Sequence, residues 1–368
     1  MKVPFLDLHK QFLSIETEIR SAIDSVLAET AFIQGKYVQE FEAAFAEYQQ
    51  AAFCLGVGNG TDAIEIALEA MNLGEGAEVI VPANSFIASS EAVTRTGYRV
   101  VFCDVDPVSY TIDIQDLKAR ITPATKAIVA VHLYGHPCDM TSICAVAAEY
   151  GLKVLEDCAQ AHGAEWDGVR VGAIGTVGTF SFYPGKNLGA YGDAGAIVSN
   201  DAELMERCKM IANHGRLDKY DHQFEGRNSR MDGLQGAILN VKLRHLDGWI
   251  ERRNLIAKTY IQNIHQNNDL VLPSINDLAR HSFHLFVLRT SRREELQKFL
   301  NDHEVATGIH YPIALPKLRA YEYLGQQDEN LFGWTVADNL LSIPIGDQMD
   351  IEDAAYVSEL VNRFFANS

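Results

Sequence analysis

The sequence is poor in cysteine, and its cysteines suggest neither a disulfide framework nor a zinc site. Six cysteines are scattered over 368 residues, and no two of them form a C-x-x-C pair. Several lie inside apolar runs, as buried free thiols do. We therefore predict no metal site and a reduced, cytoplasmic setting.

Positive charge and long hydrophobic runs are also scarce. The chain has 31 basic and 49 acidic residues, a formal net charge of −18, which argues against binding to nucleic acid or to an anionic membrane. The net charge does not exclude a small anionic ligand that is bound in a local pocket of basic residues or backbone amides. No apolar run reaches the roughly 18 residues of a membrane span, and the first residues lack the apolar core expected of a signal peptide.

The composition is otherwise that of an ordinary globular protein, with 47% apolar and 22% charged residues. The length suits one large domain and a smaller one. Apolar runs at residues 79–82, 99–103, 126–133 and 153–157 alternate with helical patterns. This alternation predicts a mostly parallel sheet that is covered by helices on both faces.

The domain boundary is predicted within a long helical pattern. This pattern covers residues 231–266, with a bend near Asp247-Gly248. We assign residues 1–247 to the large domain, including an extended N-terminal arm at 1–12. Residues 248–368 are assigned to a small α/β domain, because strand-like and helical patterns alternate there as well.

One lysine lies where a buried strand is predicted to end. The apolar run at 177–182 is followed by Pro184-Gly185, which stops a strand and forces a turn. Lys186 comes next. A partly buried amine shifts its pKa readily and suits Schiff-base chemistry. An ordinary loop lysine whose amine reaches water is the alternative reading of this residue.

A glycine-rich turn opens a predicted helix near residue 60. A short strand at 53–57 leads into the turn, and Thr61 or Asp62 is expected to cap the helix that follows. Free amides at such a helix start bind anions, including phosphate. A dinucleotide site and a plain structural turn are alternatives for this motif.

Several chemically useful residues follow predicted strands. Because the carboxyl ends of parallel strands meet at one edge of a sheet, loops there are where ligands bind. The residues at these predicted positions are Gly60, Thr61, Phe86, Tyr134, Asp157 and Lys186.

Four motifs, in this order and spacing, resemble those of one protein family. They are Gly58-Asn59-Gly60-Thr61-Asp62-Ala63, Glu156-Asp157-Cys158-Ala159-Gln160-Ala161-His162-Gly163, Ser181-Phe182-Tyr183-Pro184-Gly185-Lys186-Asn187-Leu188-Gly189 and Asn228-Ser229-Arg230-Met231-Asp232. They are similar to motifs of the DegT/DnrJ/StrS family of pyridoxal 5'-phosphate (PLP) aminotransferases, and the resemblance covers essentially the whole chain. It implies an α/β fold of the aspartate-aminotransferase type (PLP fold type I), with a large domain and a smaller C-terminal domain.

The resemblance implies a role for each matching residue. Lys186 would hold the cofactor as a Schiff base and carry protons, and Asp157 would face its pyridine nitrogen. The residues expected around the rest of the cofactor are Gly60, Thr61, Asp62, Phe86, Gln160 and Ser181. Asn228 would reach the phosphate from the neighbouring subunit, which implies a homodimer with shared active sites.

The resemblance also implies a reaction in two halves. An amino donor, L-glutamate by family analogy, would convert PLP to pyridoxamine 5'-phosphate. The second half would aminate a keto carbon of a dTDP-, UDP- or GDP-linked deoxy sugar, for surface polysaccharides or glycosylated metabolites. The residues expected to contact this substrate are Tyr183, Lys219, Tyr220, Arg230, His310 and Tyr311.

Three alternative functions stay open at the level of sequence. Some relatives are PLP-dependent sugar dehydratases with histidine at the position of Lys186, and a non-catalytic regulatory protein can share the fold. A dinucleotide enzyme needs an acid at the end of the next strand to bind ribose, whereas residues 79–82 end in proline. The combination of Lys186 with Asp157 favours the transaminase.

Overall fold

The computed structural model describes residues 2–366, and at Leu217 it describes the backbone alone. The strands, in chain order, are β1 (Phe53–Val57), β2 (Glu78–Pro82), β3 (Arg99–Cys103), β4 (Thr125–Val131), β5 (Lys153–Asp157), β6 (Glu165–Trp166), β7 (Val169–Arg170), β8 (Val177–Ser181), β9 (Gly195–Ser199), β10 (Arg216–Asp218), β11 (Asp221–His222), β12 (Ala279–Arg280), β13 (Phe286–Arg289) and β14 (Leu340–Ile343). The helices are α1 (Leu8–Ser14), α2 (Glu16–Glu29), α3 (Lys36–Tyr48), α4 (Gly60–Met71), α5 (Ala88–Arg95), α6 (Ile114–Arg120), α7 (Met140–Tyr150), α8 (Ala202–Ala212), α9 (Gly233–Leu243), α10 (Leu246–Asn263), α11 (Arg293–Asp302), α12 (Phe332–Val336) and α13 (Ile351–Ala366).

A seven-stranded sheet forms the centre of the large domain, in the order β1-β9-β8-β5-β4-β2-β3. Strand β9 runs antiparallel to both of its neighbours, and the other pairings in the sheet are parallel. All five residues of β2 are buried, because helices cover both faces of a parallel sheet and its strands become continuous apolar runs. The predicted, mostly parallel sheet is confirmed.

The shared direction of β1, β2, β4, β5 and β8 brings their carboxyl ends to one edge. Asp157, the last residue of β5, is in register with Val131 on β4 and Thr179 on β8. The segment that carries Lys186 follows β8. The sheet therefore gathers the predicted strand-end residues at a single edge.

Helix α4 begins at this edge and is capped by a residue other than the two predicted. The Asn59 side chain accepts a hydrogen bond from the Asp62 amide at 2.8 Å, so the prediction of Thr61 or Asp62 as cap is wrong. Asn59 is extended and immediately precedes the first helical residue, which is the geometry of an N-cap. Gly60 also has to be small, because a Cβ there would lie 2.5 Å from Cβ of Ser181.

The C-terminal part of the chain forms a second hydrophobic core. Strands β13 and β14 pair antiparallel, and apolar residues of α10, α11 and α13 pack with them. The predicted long helix is divided into α9 and α10 at Arg244 and His245, before the expected bend at Asp247-Gly248. Arg244 and His245 bind the Glu18 carboxylate of α2, at 3.1 and 2.9 Å respectively. These two contacts hold the break between the helices in place.

Two segments pack across the predicted domain boundary. Near the N-terminus, Val3 pairs with Val305 and joins the second core. The expectation of an extended arm through residue 12 is wrong beyond Asp7, because the Asp7 side chain caps α1 by accepting from the Lys10 amide at 2.9 Å.

The second segment belongs to the C-terminal part of the chain and packs on the large domain. Its Gln326 side chain binds both the amide of Phe102 and the carbonyl of Val100 on edge strand β3. The division at residue 247 stays a prediction.

Among residues 2–366, no helix combines the length and the apolar character needed to cross a lipid bilayer. All six cysteines carry free thiols.

Candidate active site

A cavity of about 430 Å³ opens at the carboxyl edge of the sheet. Its wall contains most of the residues predicted from the sequence: Gly60, Thr61, Phe86, Asp157, Gln160, Ser181, Tyr183, Lys186 and Tyr311. These residues come from five separate stretches of the chain, and the strand ends bring them together.

The loop that carries Lys186 is closed by hydrogen bonds at its base. The Lys186 amide donates to the Tyr183 carbonyl at 2.8 Å, and the Ala190 amide donates to the Phe182 carbonyl at 2.7 Å. From α9, the buried Lys242 amine donates to the Gly189 carbonyl at 2.6 Å. The backbone around Lys186 is therefore fixed, while its side chain extends into the cavity.

Burial lowers the pKa of Lys186 to about 8, although the nearby negative charge of Asp157 opposes this shift. The side chain is partly exposed, but to the cavity, and protein atoms surround its amine. His162 adds no second positive charge beside Lys186, because burial, reinforced by the positive charge of Lys186, lowers the pKa of His162 to about 3. A lysine with this pKa is substantially uncharged near pH 8 and can act as a nucleophile or a base.

Asp157 is held by two donors that the sequence interpretation missed. The Ala159 amide donates to Oδ1 at 3.1 Å, and the Ser89 hydroxyl donates to Oδ2 at 2.7 Å. Ser89 also lies 2.7 Å from the hydroxyl of Ser85, and both serines line the cavity. The one available signal was that the two serines follow a buried strand, at a spacing of one helical turn.

The start of α4 forms one side of the cavity. The amides of Gly60 and Thr61 are free of intrahelical partners, as expected for the first residues of a helix, and Ser181 lies beside them. The Asp62 amide is already used by Asn59, and the Asp62 carboxylate accepts from the Ser229 hydroxyl at 2.6 Å. Asp62 is therefore engaged in holding the fold.

Aromatic residues form another part of the cavity wall. Phe86 is 54% exposed beside the cavity, and its ring centre lies 5.7 Å from that of Tyr311. Gln160 fixes this wall, because its amide nitrogen donates to the Tyr311 hydroxyl at 2.8 Å and its oxygen accepts from the Tyr134 amide at 2.7 Å. The Tyr134 hydroxyl in turn donates to the carbonyl of His310.

Six of the predicted site residues lie outside the cavity wall: Asp62, Asn228, Lys219, Tyr220, Arg230 and His310. Tyr220 is 85% exposed near the tip of the β10–β11 hairpin. The ring of His310 stacks on Phe5, with centres 5.7 Å apart, and its Nδ1 lies 2.9 Å from the Ser342 hydroxyl. Burial, with the positive charge of Lys186, lowers the pKa of His310 to about 4.

A buried cluster of His132, Glu156 and Cys158 lies beside the cavity. His132 Nε2 bonds the Glu156 carboxylate at 3.0 Å, and its Nδ1 accepts from the Cys138 amide at 2.9 Å. The same carboxylate accepts three backbone amides from residues 172–175. Because its donors and acceptors bind one another, this cluster joins β4, β5 and the following loop rather than offering free metal ligands.

We compared the sequence and the structure with those of known proteins. The sequence model described as the DegT/DnrJ/EryC1/StrS aminotransferase family matches residues 13–362. The chain belongs to this family. The expectation drawn from the four motifs is thus confirmed.

Two curated relatives of this DegT/DnrJ/EryC1/StrS family member differ in the roles their names describe. A dTDP-3-amino-3,6-dideoxy-alpha-D-galactopyranose transaminase of Aneurinibacillus thermoaerophilus is 45% identical over 98% of this chain and 99% of its own length. A pleiotropic regulatory protein of Geobacillus stearothermophilus is 43% identical over 99% of both chains.

Among solved structures, S. venezuelae DesV in complex with a ketimine intermediate superposes with a TM-score of 0.96. It is 39% identical and matches 99% of this chain and 98% of its own. The predicted α/β fold of the PLP aminotransferases is confirmed.

Proposed function

We propose that this family member is a PLP-dependent aminotransferase. It transfers an amino group, with L-glutamate as donor, to a keto group of a nucleotide-linked deoxy sugar. The observation that carries this proposal is that Lys186 and Asp157 face one cavity, with the free amides of α4 at its side. The transaminase from Aneurinibacillus supports the sugar-nucleotide class of substrate.

The residues present fit the cofactor. PLP requires an amine for its aldehyde, an acid for its ring nitrogen, an aromatic face and an anion site for its phosphate. Lys186 and Asp157 supply the first two, and Phe86 supplies the face. Gly60 and Thr61 supply amides at a helix start, where anions bind. When bound, PLP acts as an electron sink and carries the amino group between the two substrates.

Lys186 is the proton carrier in this proposal. Its pKa of about 8 leaves part of the population uncharged near neutral pH, so the amine can accept a proton from a substrate carbon and return it. Asp157 accepts hydrogen bonds from Ser89 and Ala159. It keeps acceptor capacity for the protonated ring nitrogen, because a carboxylate has about four lone-pair sites.

Tyr183 and Tyr311 are our candidates for sugar contacts within the same subunit. Both line the cavity. The Tyr311 hydroxyl accepts from Gln160 at 2.8 Å, and burial raises the pKa of this tyrosine. Its proton is therefore retained and available to donate to a sugar oxygen.

We further propose that Asn228, Lys219 and Tyr220 serve the site of a partner subunit. Asn228 lies between Arg227, which binds Glu65 and Glu69 of α4, and Ser229, which binds Asp62. Because alternate residues of an extended segment face opposite sides, these two anchors direct Asn228 outwards, and Asn228 is exposed. A homodimer would place it at the phosphate of the partner's cofactor.

A hybrid dimer tests the shared site. Lys186→Ala removes the essential amine, and Asn228→Asp places a negative charge beside a phosphate, where like charges cost several kcal/mol. With shared sites, a hybrid of these two inactive subunits keeps one intact site, and we expect about half of the parental activity per dimer. The measurement is turnover by the hybrid, purified through two different tags.

Sites built within single subunits predict a different outcome. The hybrid would then be no more active than the Asn228→Asp protein, because each subunit would carry its own lesion. A fully active monomer in sedimentation would also contradict the dimer.

The six free cysteines support our further proposal of a reducing, cytoplasmic compartment.

The dehydratase and regulatory alternatives are less well supported. Family dehydratases carry histidine where this chain has Lys186, and the regulatory name of the Geobacillus relative does not explain why an amine and an acid share one cavity. The proposal is tested by a two-stage assay. The PLP-loaded protein is first exposed to L-glutamate, and a panel of dTDP-, UDP- and GDP-linked keto sugars is then offered while amine formation is followed.

A further inference from the structure

We infer that Ser89, supported by Ser85, is a positioning residue that fixes the Asp157 carboxylate for the ring nitrogen of the cofactor. This inference rests on the proposed function. Ser89 is 1% exposed and Ser85 is 4% exposed, so both hydroxyls are removed from bulk water. Neither serine belongs to the four motifs that identify the family, and no charge marks them in the sequence.

The direction of the hydrogen bonds follows from the acid. An ionised carboxylate only accepts, so Ser89 gives its single hydroxyl proton to Asp157 Oδ2, at 2.7 Å. Ser89 then has no proton left for Ser85, and Ser85 must donate across the 2.7 Å contact between the two hydroxyls. The chain of donors runs from Ser85 to Ser89 to Asp157.

The hydrogen bond from Ser89 to Asp157 connects two different elements at the cavity. Ser89 lies in the first turn of α5, whereas Asp157 ends β5. The bond therefore ties the acid to an element next to Phe86, the proposed ring-stacking residue. Together with the Ala159 amide on Oδ1, it holds both carboxylate oxygens and prevents the side chain from rotating away from the cavity.

The hydrogen bond also stabilises the ionised carboxylate, because donors to a charged acceptor favour the charged form. A charged acid keeps the cofactor ring nitrogen protonated. Loss of the Ser89 hydroxyl weakens that pairing and reduces the withdrawal of electrons by the ring. The nitrogen that links Lys186 to the cofactor then becomes more basic, so the pH midpoint of the visible absorbance band moves upwards.

Ser90 provides a matched control. It is the next residue of the same helix and is 0% exposed, but its hydroxyl lies 2.8 Å from that of Tyr321 and donates to the Ile87 carbonyl at 3.0 Å. Ser90→Ala and Ser89→Ala remove the same buried atom from α5. General loosening of the helix would affect both variants alike.

The test uses the full-length protein titrated with PLP, with two readouts in addition to activity. For Ser89→Ala we expect a roughly 10-fold higher dissociation constant for PLP, typical of a lost hydrogen bond to a charged group. We also expect an upward shift of about one unit in the pH midpoint of the visible band. Ser89→Thr, which keeps the hydroxyl, restores both values, and Ser90→Ala changes neither.

The outcomes separate the inference from the function on which it rests. If the parental protein binds no PLP, the proposed function itself fails. If the parental protein binds PLP but Ser89→Ala matches it in affinity and pH midpoint, the positioning role is overturned. Equal changes in Ser89→Ala and Ser90→Ala would also overturn it, because they would indicate a general effect on α5.

Discussion

Lys186→Ala is expected to abolish the visible absorbance of the PLP-loaded protein and to lower turnover by roughly 10⁴-fold or more. Under the proposed function two roles are lost together, because the same amine would link to the cofactor and move the proton. The measurements are an absorbance spectrum after PLP addition and a turnover assay. Normal turnover by this variant would contradict the assignment of Lys186.

Lys242 makes this test specific. Burial also lowers its pKa to about 8, but its amine donates to the Gly189 carbonyl and it does not line the cavity. Borohydride reduction followed by peptide mapping should therefore find the cofactor on Lys186 alone. Labelling of Lys242 would show that a depressed pKa, rather than position in the cavity, governs attachment.

The pH dependence of cofactor capture has a definite sign. The uncharged amine is the nucleophile, and the folded-state pKa of Lys186 is lowered to about 8. Capture of PLP by the free protein is therefore expected to accelerate as the pH rises through about 8 and then to level off. An ordinary solvent-exposed lysine would keep accelerating towards pH 10 and above.

Asp157→Asn has the second-largest expected effect. Asparagine preserves the shape of the side chain but removes the charge that, under the proposed function, keeps the ring nitrogen of the cofactor protonated. We expect turnover to fall by ~10²–10³-fold, the range for loss of one preorganised electrostatic partner. Turnover close to the parental value would contradict the assigned role of Asp157.

The two variants are distinguishable by more than the size of the defect. Asp157→Asn keeps Lys186, so borohydride should still fix the cofactor to the protein, whereas Lys186→Ala should not be labelled. A protein with Asp157→Asn that no longer captures PLP would indicate that the acid holds the site together, and its assigned electronic role would then be unsupported.

The residues that we propose to perform the chemistry were predictable from sequence because they follow buried strands. Each apolar run ends abruptly, and a polar residue such as Asp157 or Lys186 comes within a few positions of that end. In a parallel sheet these ends meet, and they do so here. The family motifs then supplied roles that periodicity alone does not provide.

Contacts between distant parts of the chain, including the one that supports our proposed acid, were not predictable in the same way. Ser89 binds Asp157 across 68 positions of sequence, and a serine on a helix carries no mark of that partner. Gln326 binds edge strand β3 from 224 residues away. Such contacts depend on how distant elements dock, and local patterns report only on neighbours within a turn or two.

The errors at helix boundaries have a similar cause. Thr61 and Asp62 are plausible caps by residue type, but Asn59 takes this role because it has the extended backbone that an N-cap needs. The break between α9 and α10 lies where Arg244 and His245 meet Glu18 of α2, a residue more than 200 positions away. Local sequence alone allowed several positions for the cap and for the break, and the folded structure determined which of them is used.

The most direct test of the central claim is transfer of nitrogen from one substrate to the other. The PLP-loaded protein is incubated with L-glutamate that carries heavy nitrogen in its amino group, together with each keto sugar of the dTDP-, UDP- and GDP-linked panel. We predict that at least one sugar nucleotide acquires the label, as an amine detected by mass spectrometry, and that Lys186→Ala transfers none. A protein that binds PLP but labels no sugar, or that releases water from the sugar without incorporating nitrogen, would contradict the assignment as an aminotransferase.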